Sequence, residues 1–76
     1  MTTPTAPASI YDERVAFGRR LATLRRARVG SQAVLATRIG CSTRTVENWE
    51  LGETMPRLDV AARLAEALGV TLDDLW

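Results

Sequence analysis

The sequence predicts an all-α fold, a five-helix bundle forming one domain over residues 10–76. Three observations carry that prediction. Apolar residues recur at helical spacing, as in Phe17, Leu21 and Leu24 or Ala61, Leu64, Ala65 and Leu68, and no segment alternates as a half-buried strand would. Serine, threonine and glycine punctuate these runs where helices start and stop. With 76 residues and 46% apolar content, the chain suits one small core, near the size at which a single core is just sufficient.

The elements follow in order. The opening nine residues, MTTPTAPAS, are uncharged and rich in Pro, Thr and Ala, and are expected to form a disordered arm at 1–9. They have neither the basic start nor the apolar run of a targeting segment. A first helix is predicted over Ile10 to Arg28. Ser9 and Asp12 resemble a capping box with Asp in place of the usual Glu. Ile10, Phe17, Leu21 and Leu24 keep a 3.6-residue period toward the core, and Arg19, Arg20, Arg26 and Arg28 lie elsewhere on its surface. Gly30 closes the connection, and Ser31 caps a second helix from Gln32 to Ile39. A third helix should run from Thr43 to about Leu51, where Gly52 stops it. After the loop Glu53-Thr54-Met55-Pro56, a fourth helix spans roughly Arg57 to Leu68, with Leu58, Ala61, Leu64, Ala65 and Leu68 facing inward. Gly69 ends it. Thr71 then caps a short fifth helix through Leu75 and Trp76, with Asp73 and Asp74 in the first turn, where the helix dipole favours negative charge.

Composition removes several function classes. The chain has no histidine, and all ten of its basic residues are arginine. It therefore lacks an imidazole base, an amine for a Schiff base and a zinc-ligand cluster. No glycine-rich loop marks a nucleotide site. An enzyme is not expected, nor a cofactor, nor a metal. The single cysteine rules out an intramolecular disulfide, and Cys41 reads as a small buried hydrophobe in a reducing, cytoplasmic setting. No stretch approaches the ~20 apolar residues of a membrane span. The net charge of +1 conceals an asymmetry: residues 14–57 carry +6 and residues 58–76 carry −3. Such a basic concentration is what an electrostatic footprint on phosphate requires.

The stretch from Gln32 to Trp49, QAVLATRIGCSTRTVENW, has the spacing of a helix-turn-helix. Leu35, Ala36, Ile39, Val46 and Trp49 fall at buried positions, and small Ala36 suits a close crossing of helices. Gly40 supplies the positive φ of a helix-stopping turn, and Ser42 caps the following helix. Val46 and Trp49, three apart, face inward together, which leaves Thr43, Arg44, Glu47 and Asn48 outward.

Residues 17–76 resemble the Cro/C1-type helix-turn-helix family, also called the XRE family. The resemblance is carried by Leu24-Arg25, Ser31-Gln32, Leu35-Ala36, Gly40-Cys41-Ser42, Trp49-Glu50 with Gly52, Pro56, and the run from Leu64 to Leu75. One departure stands out. Val29-Gly30-Ser31-Gln32 carries its glycine one place later than the family pattern.

The resemblance implies a sequence-specific regulator of transcription that binds double-stranded DNA, a repressor acting as a homodimer on a palindromic operator. Thr43, Arg44, Glu47 and Asn48 take its base-contacting positions. Arginine pairs with guanine and asparagine with adenine through two parallel bonds, while glutamate accepts from cytosine N4. Glu47 has a second reading, in which it holds Arg44 from three residues away. Gln32, Ser42, Thr45 and Arg57 take phosphate-contacting positions, and Glu53 stands where the family often has lysine. Arg25 and Glu50 match a structural ion pair between the first and third helices. The dimer interface is expected around Val70, Leu72, Leu75 and Trp76, with Trp76 folding back on the core or meeting a partner. The resemblance also admits a protein partner, a toxin or polymerase, and no membrane partner is expected. The rival readings are an antitoxin of a toxin–antitoxin pair and a protein–protein adaptor that has lost DNA binding.

Overall fold

The computed structural model describes residues 10–76, with side-chain surroundings from Glu13 onward. The expected arm at 1–9, the Ser9–Asp12 cap and the inward placement of Ile10 lie outside the described residues. Among those residues there are four α-helices and no strand: α1 (Ile10–Arg28), α2 (Gln32–Ile39), α3 (Thr43–Leu51) and α4 (Leu58–Leu68). The expected fifth helix is a single 3-10 turn, Leu72–Leu75, rather than an α-helix. Four residues cannot sustain repeated i→i−4 bonds, so the N–H groups reach back three. Asp74 donates to the Thr71 carbonyl at 3.0 Å and Trp76 to that of Asp73 at 3.2 Å. Thr71 and Asp74 also exchange side-chain and backbone bonds of 3.2 and 2.9 Å, which closes a capping box.

The core is one cluster to which every helix contributes. Phe17 and Leu21 come from α1, Leu35, Ala36 and Ile39 from α2, Val46 and Trp49 from α3, Leu64, Ala65 and Leu68 from α4, and Leu75 from the 3-10 turn. Leu21, Leu35, Val46, Leu64, Leu68 and Leu75 are closed to solvent. Leu58 departs from the expectation of an inward face and is 69% exposed. Helix α4 starts one residue later than predicted, with Arg57 as its N-cap, so Leu58 sits in its opening turn beyond the reach of the core. Leu24 and Cys41 are partly buried against the cluster.

Two glycines decide how α1 meets α3. Gly18 lies in the middle of α1, where glycine costs about 1 kcal/mol relative to alanine. A Cβ there would stand 2.5 Å from the Glu50 carbonyl oxygen and 2.6 Å from that of Trp49. Gly52 ends α3 with φ +80°, and a Cβ there would meet Val15 at 2.9 Å. The backbones of α1 and of the end of α3 are thus as close as two chains can come. Among the described residues, no helix is long and apolar enough to cross a membrane.

Candidate nucleic-acid interface

The α2–α3 turn is set by local chemistry. Gly40, at φ +81°, lets its own N–H and that of Cys41 return to the Ala36 carbonyl at 2.9 and 3.0 Å, closing α2. The Ser31 hydroxyl accepts from the Val34 N–H at 3.1 Å, and the Ser42 hydroxyl accepts from that of Thr45 at 3.1 Å. Each cap satisfies one donor that a helix start leaves open. The Ser42 and Thr45 hydroxyls also lie 2.9 Å apart. They share one hydrogen bond, which leaves one of their two protons for an outside acceptor such as a phosphate oxygen.

With Val46 and Trp49 buried, α3 turns Thr43, Arg44 and Glu47 to solvent and Asn48 partly so. Residues 43/47 and 44/48 are i, i+4 pairs, so the four make one continuous face. Among the described residues no ion pair joins Glu47 to Arg44, so the reading in which Glu47 holds Arg44 is not realised. Glu47 instead borders a concavity between α1 and α3, beside Arg19 and Arg26.

The structure brings Arg25 and Glu50 together in a fork. Arg25 Nε donates to Glu50 Oε2 at 2.6 Å and Nη2 donates to Oε1 at 2.9 Å. Their side chains are 11% and 7% exposed. Arg25 Nη1 also donates to the Gly30 carbonyl at 2.6 Å, tying the displaced glycine of the α1–α2 connection into the same network. Burial alone pushes the Glu50 carboxyl up. Hydrogen bonds from Arg25 and Gln32, with the charges of Arg25 and Arg26, outweigh that and hold it below the usual glutamate range.

Gln32 Nε2 donates one of its two hydrogens to Glu50 Oε1 at 2.9 Å, which fixes the side chain beside the ion pair and leaves the second hydrogen for an outside acceptor. The start of α2 also offers an anion its backbone: the first N–H groups of a helix have no intrahelical partner, and the Ser31 cap takes only that of Val34. Arg57 is exposed and paired with Asp59 at 2.9 Å, so a phosphate reaching it would compete with that carboxylate.

At the C-terminal side, Leu75 is buried in the core and cannot line an interface between folded copies, which corrects its assignment there. The reason is the 3-10 turn, which points Leu75 down onto the cluster. Val70 and Leu72 are half-buried. Trp76 packs at a tilt against Phe17, with ring centroids 5.0 Å apart and planes 43° apart, and remains 50% exposed. It thus both folds back and keeps a free face.

Sequence reasoning missed three features. Gly18 carried a signal, since a glycine in mid-helix marks a close approach. The Gln32–Glu50 bond and the bond from Arg14 Nη1 to the Glu53 carbonyl at 3.4 Å join residues far apart in sequence, and no local pattern announces them.

A family model described as a helix-turn-helix domain matches residues 16–75. The transcriptional repressor RstR of the cryptic phage CTXphi, from Vibrio cholerae, is 36% identical over 56 residues, 74% of this chain and 50% of that protein. The chain thus spans about half the length of this curated relative. The restriction-modification controller protein C.AhdI from Aeromonas hydrophila has a similar structure, with a TM-score of 0.82 and 35% identity over 87% of this chain and 96% of that one. Hydroxypropylphosphonic acid epoxidase from S. wedmorenis is also similar, with a TM-score of 0.76 and 30% identity, but the match takes in 82% of this chain and only 33% of that enzyme.

Proposed function

This chain belongs to the Cro/C1-type helix-turn-helix family, and from that premise we propose that it is a transcription regulator that reads duplex DNA with the outer face of α3. It is not an enzyme: the epoxidase likeness is confined to a third of that protein, and the family and the other relatives are regulatory. The observation that carries the proposal is the four-residue polar face of Thr43, Arg44, Glu47 and Asn48, backed by buried Val46 and Trp49 and held at its far end by Arg25 and Glu50.

Helix α3 enters the major groove. Arg44 pairs with guanine O6 and N7, and Asn48 pairs with adenine N6 and N7. Thr43 meets a thymine methyl or a base edge, and Glu47 accepts from cytosine N4. The opening N–H groups of α2 at Gln32, the hydroxyls of Ser42 and Thr45, and Arg57 at the start of α4 hold phosphates and fix the register. Residues 10–76 act as one DNA-binding domain. One reading helix covers too few base pairs to select a genomic site, so the chain works as a homodimer on a palindrome, with half-sites about 34–36 Å apart. Val70, Leu72 and the free face of Trp76 supply the contact between copies. The likeness to a phage repressor supports repression, by occluding polymerase from the operator in the cytoplasm.

The test is a selection of bound sequences from random duplex DNA, followed by Arg44→Ala on the enriched site. One palindrome should emerge, and the variant should lose about 1–3 kcal/mol of specific affinity and relax one base position per half-site. Unchanged selectivity would place the reading face elsewhere, and a site without dyad symmetry would remove the dimer.

A further inference from the structure

We propose that the concavity between α1 and α3 is a second seat for the DNA backbone, in which Arg19 and Arg26 of α1 neutralise phosphates beside the groove that α3 enters. The inference rests on α3 being the groove-entering helix, and it adds α1 to the contact surface.

The concavity holds about 580 Å³, and its lining includes Arg19, Arg26, Gln32, Glu47 and the Arg25–Glu50 pair. Those two charges are spent on each other at 2.6 Å with side chains nearly closed to solvent. They form a neutral, rigid floor. On the rim, Arg19 and Arg26 are exposed and make no ion pair among the described residues. They outnumber the single rim carboxylate, Glu47, so the opening is net positive.

Spacing fits the ligand as well. Arg19 and Arg26 are two helical turns apart on one face of α1, a rise of roughly 10 Å. One strand of B-DNA carries a charge about every 3.4 Å along its axis, so the two guanidinium groups can meet different phosphates of one strand. Gln32, on the wall, is also the first residue of α2. The anion-favouring start of that helix therefore borders the same opening. A partner with a regularly spaced row of anions satisfies all three features together, and Glu47 sets a limit on how tightly it is held.

The experiment measures affinity against salt concentration on the selected operator and on a scrambled duplex of equal length. It compares the wild type with Arg19→Gln, Arg26→Gln, the double variant, Glu47→Gln, and Arg63→Gln on α4 as a control of equal charge. Each of the two α1 variants should reduce the slope of log affinity against log salt by about 0.9, and the double variant by about twice that, on both duplexes. Base preference should not change. Glu47→Gln should tighten binding to the scrambled duplex, and Arg63→Gln should leave the slope as it was. Thermal melts confirm folding, which these exposed positions should not disturb. A wild-type slope in the double variant, alongside lost selectivity in Arg44→Ala, would overturn the α1 seat and leave the reading of α3 intact. An equal fall in slope for Arg63→Gln would overturn it too, reducing the effect to net charge. A wild type with no duplex affinity at low salt would overturn both proposals.

Discussion

Arg25 and Glu50 meet through two parallel hydrogen bonds, 2.6 and 2.9 Å long, that span from α1 to the last turn of α3. The pair sits where water scarcely reaches, so each charge depends on the other. Removing one partner strands an uncompensated charge, at a cost of about 3–5 kcal/mol. Arg25→Ala and Glu50→Ala should each destabilise the fold on that scale in urea unfolding. The double variant should lose less than the two singles together, with a coupling of about 0.5–3 kcal/mol. Strict additivity would mean that the fork contributes nothing.

The same pair makes stability depend on acid. Glu50 titrates lower in the folded chain than in the unfolded one, so between the two values the unfolded state binds more protons. Its stabilising contribution is present above about pH 4.3, the ordinary glutamate value, and is lost as pH falls through the depressed folded value. Asp74, held low by its bonds with Thr71, acts in the same direction. Melting temperature should therefore decline below about pH 4.3. Glu50→Gln should flatten that decline without abolishing it. An unchanged pH profile in the variant would assign the acid sensitivity to other carboxylates.

Gly18→Ala adds one methyl group where no space exists, against two backbone carbonyls that cannot swing away. Overpacking of this kind costs about 1–3 kcal/mol, occasionally more. For a domain this small that is a fall in melting temperature of about 4–8 °C per kcal/mol. A helix-favouring substitution in mid-helix would ordinarily stabilise, so a higher melting temperature would show that α1 and α3 do not cross as described.

Leu75 and Leu58 should behave oppositely although the sequence treats both as apolar positions near helix ends. Leu75→Ala empties a site closed to solvent and should cost about 2–5 kcal/mol. Leu58→Ala changes an exposed residue and should stay within about 0.5 kcal/mol in the isolated monomer. Chemical denaturation at low protein concentration separates the two. Equal losses would contradict the position of one of them.

What the sequence made legible was whatever is decided within a turn or two of helix. The caps Ser31, Ser42 and Thr71 and the stops Gly40, Gly52 and Gly69 fall where expected, because capping is a contest among neighbouring backbone groups. Val46 and Trp49 face inward for the same local reason. Leu58 went astray because periodicity gives the direction a side chain points and not whether anything lies there. Leu75 was assigned to an interface because a short terminal element offers no internal sign of which side meets the core. The Gln32–Glu50 bond needed three-dimensional proximity between residues eighteen positions apart. The outward set on α3 was readable as a face, and the crowding of α1 on α3 at Gly18 was not.

That crowding makes α3 a pointer with a fixed hilt. Its tightest grip lies at Trp49, Glu50 and Gly52, whereas Arg44 sits toward the other end, which the turn after α2 and buried Val46 hold less closely to α1. At about 1.5 Å per residue, roughly 9 Å of helix separates Arg44 from Glu50. A tilt of about 10° at the grip would thus sweep the tip through roughly 1.5 Å, beyond the ~0.5 Å tolerance of a well-formed site. Small slackness between α1 and α3 is magnified at the proposed reading residues, so a substitution at Gly18, on the opposite side of α3 from them, shifts their aim as well as the stability of the fold. The proposed reading face therefore has two independent settings on this fold: the side chains of residues 43–48, and the angle at which α3 holds them out.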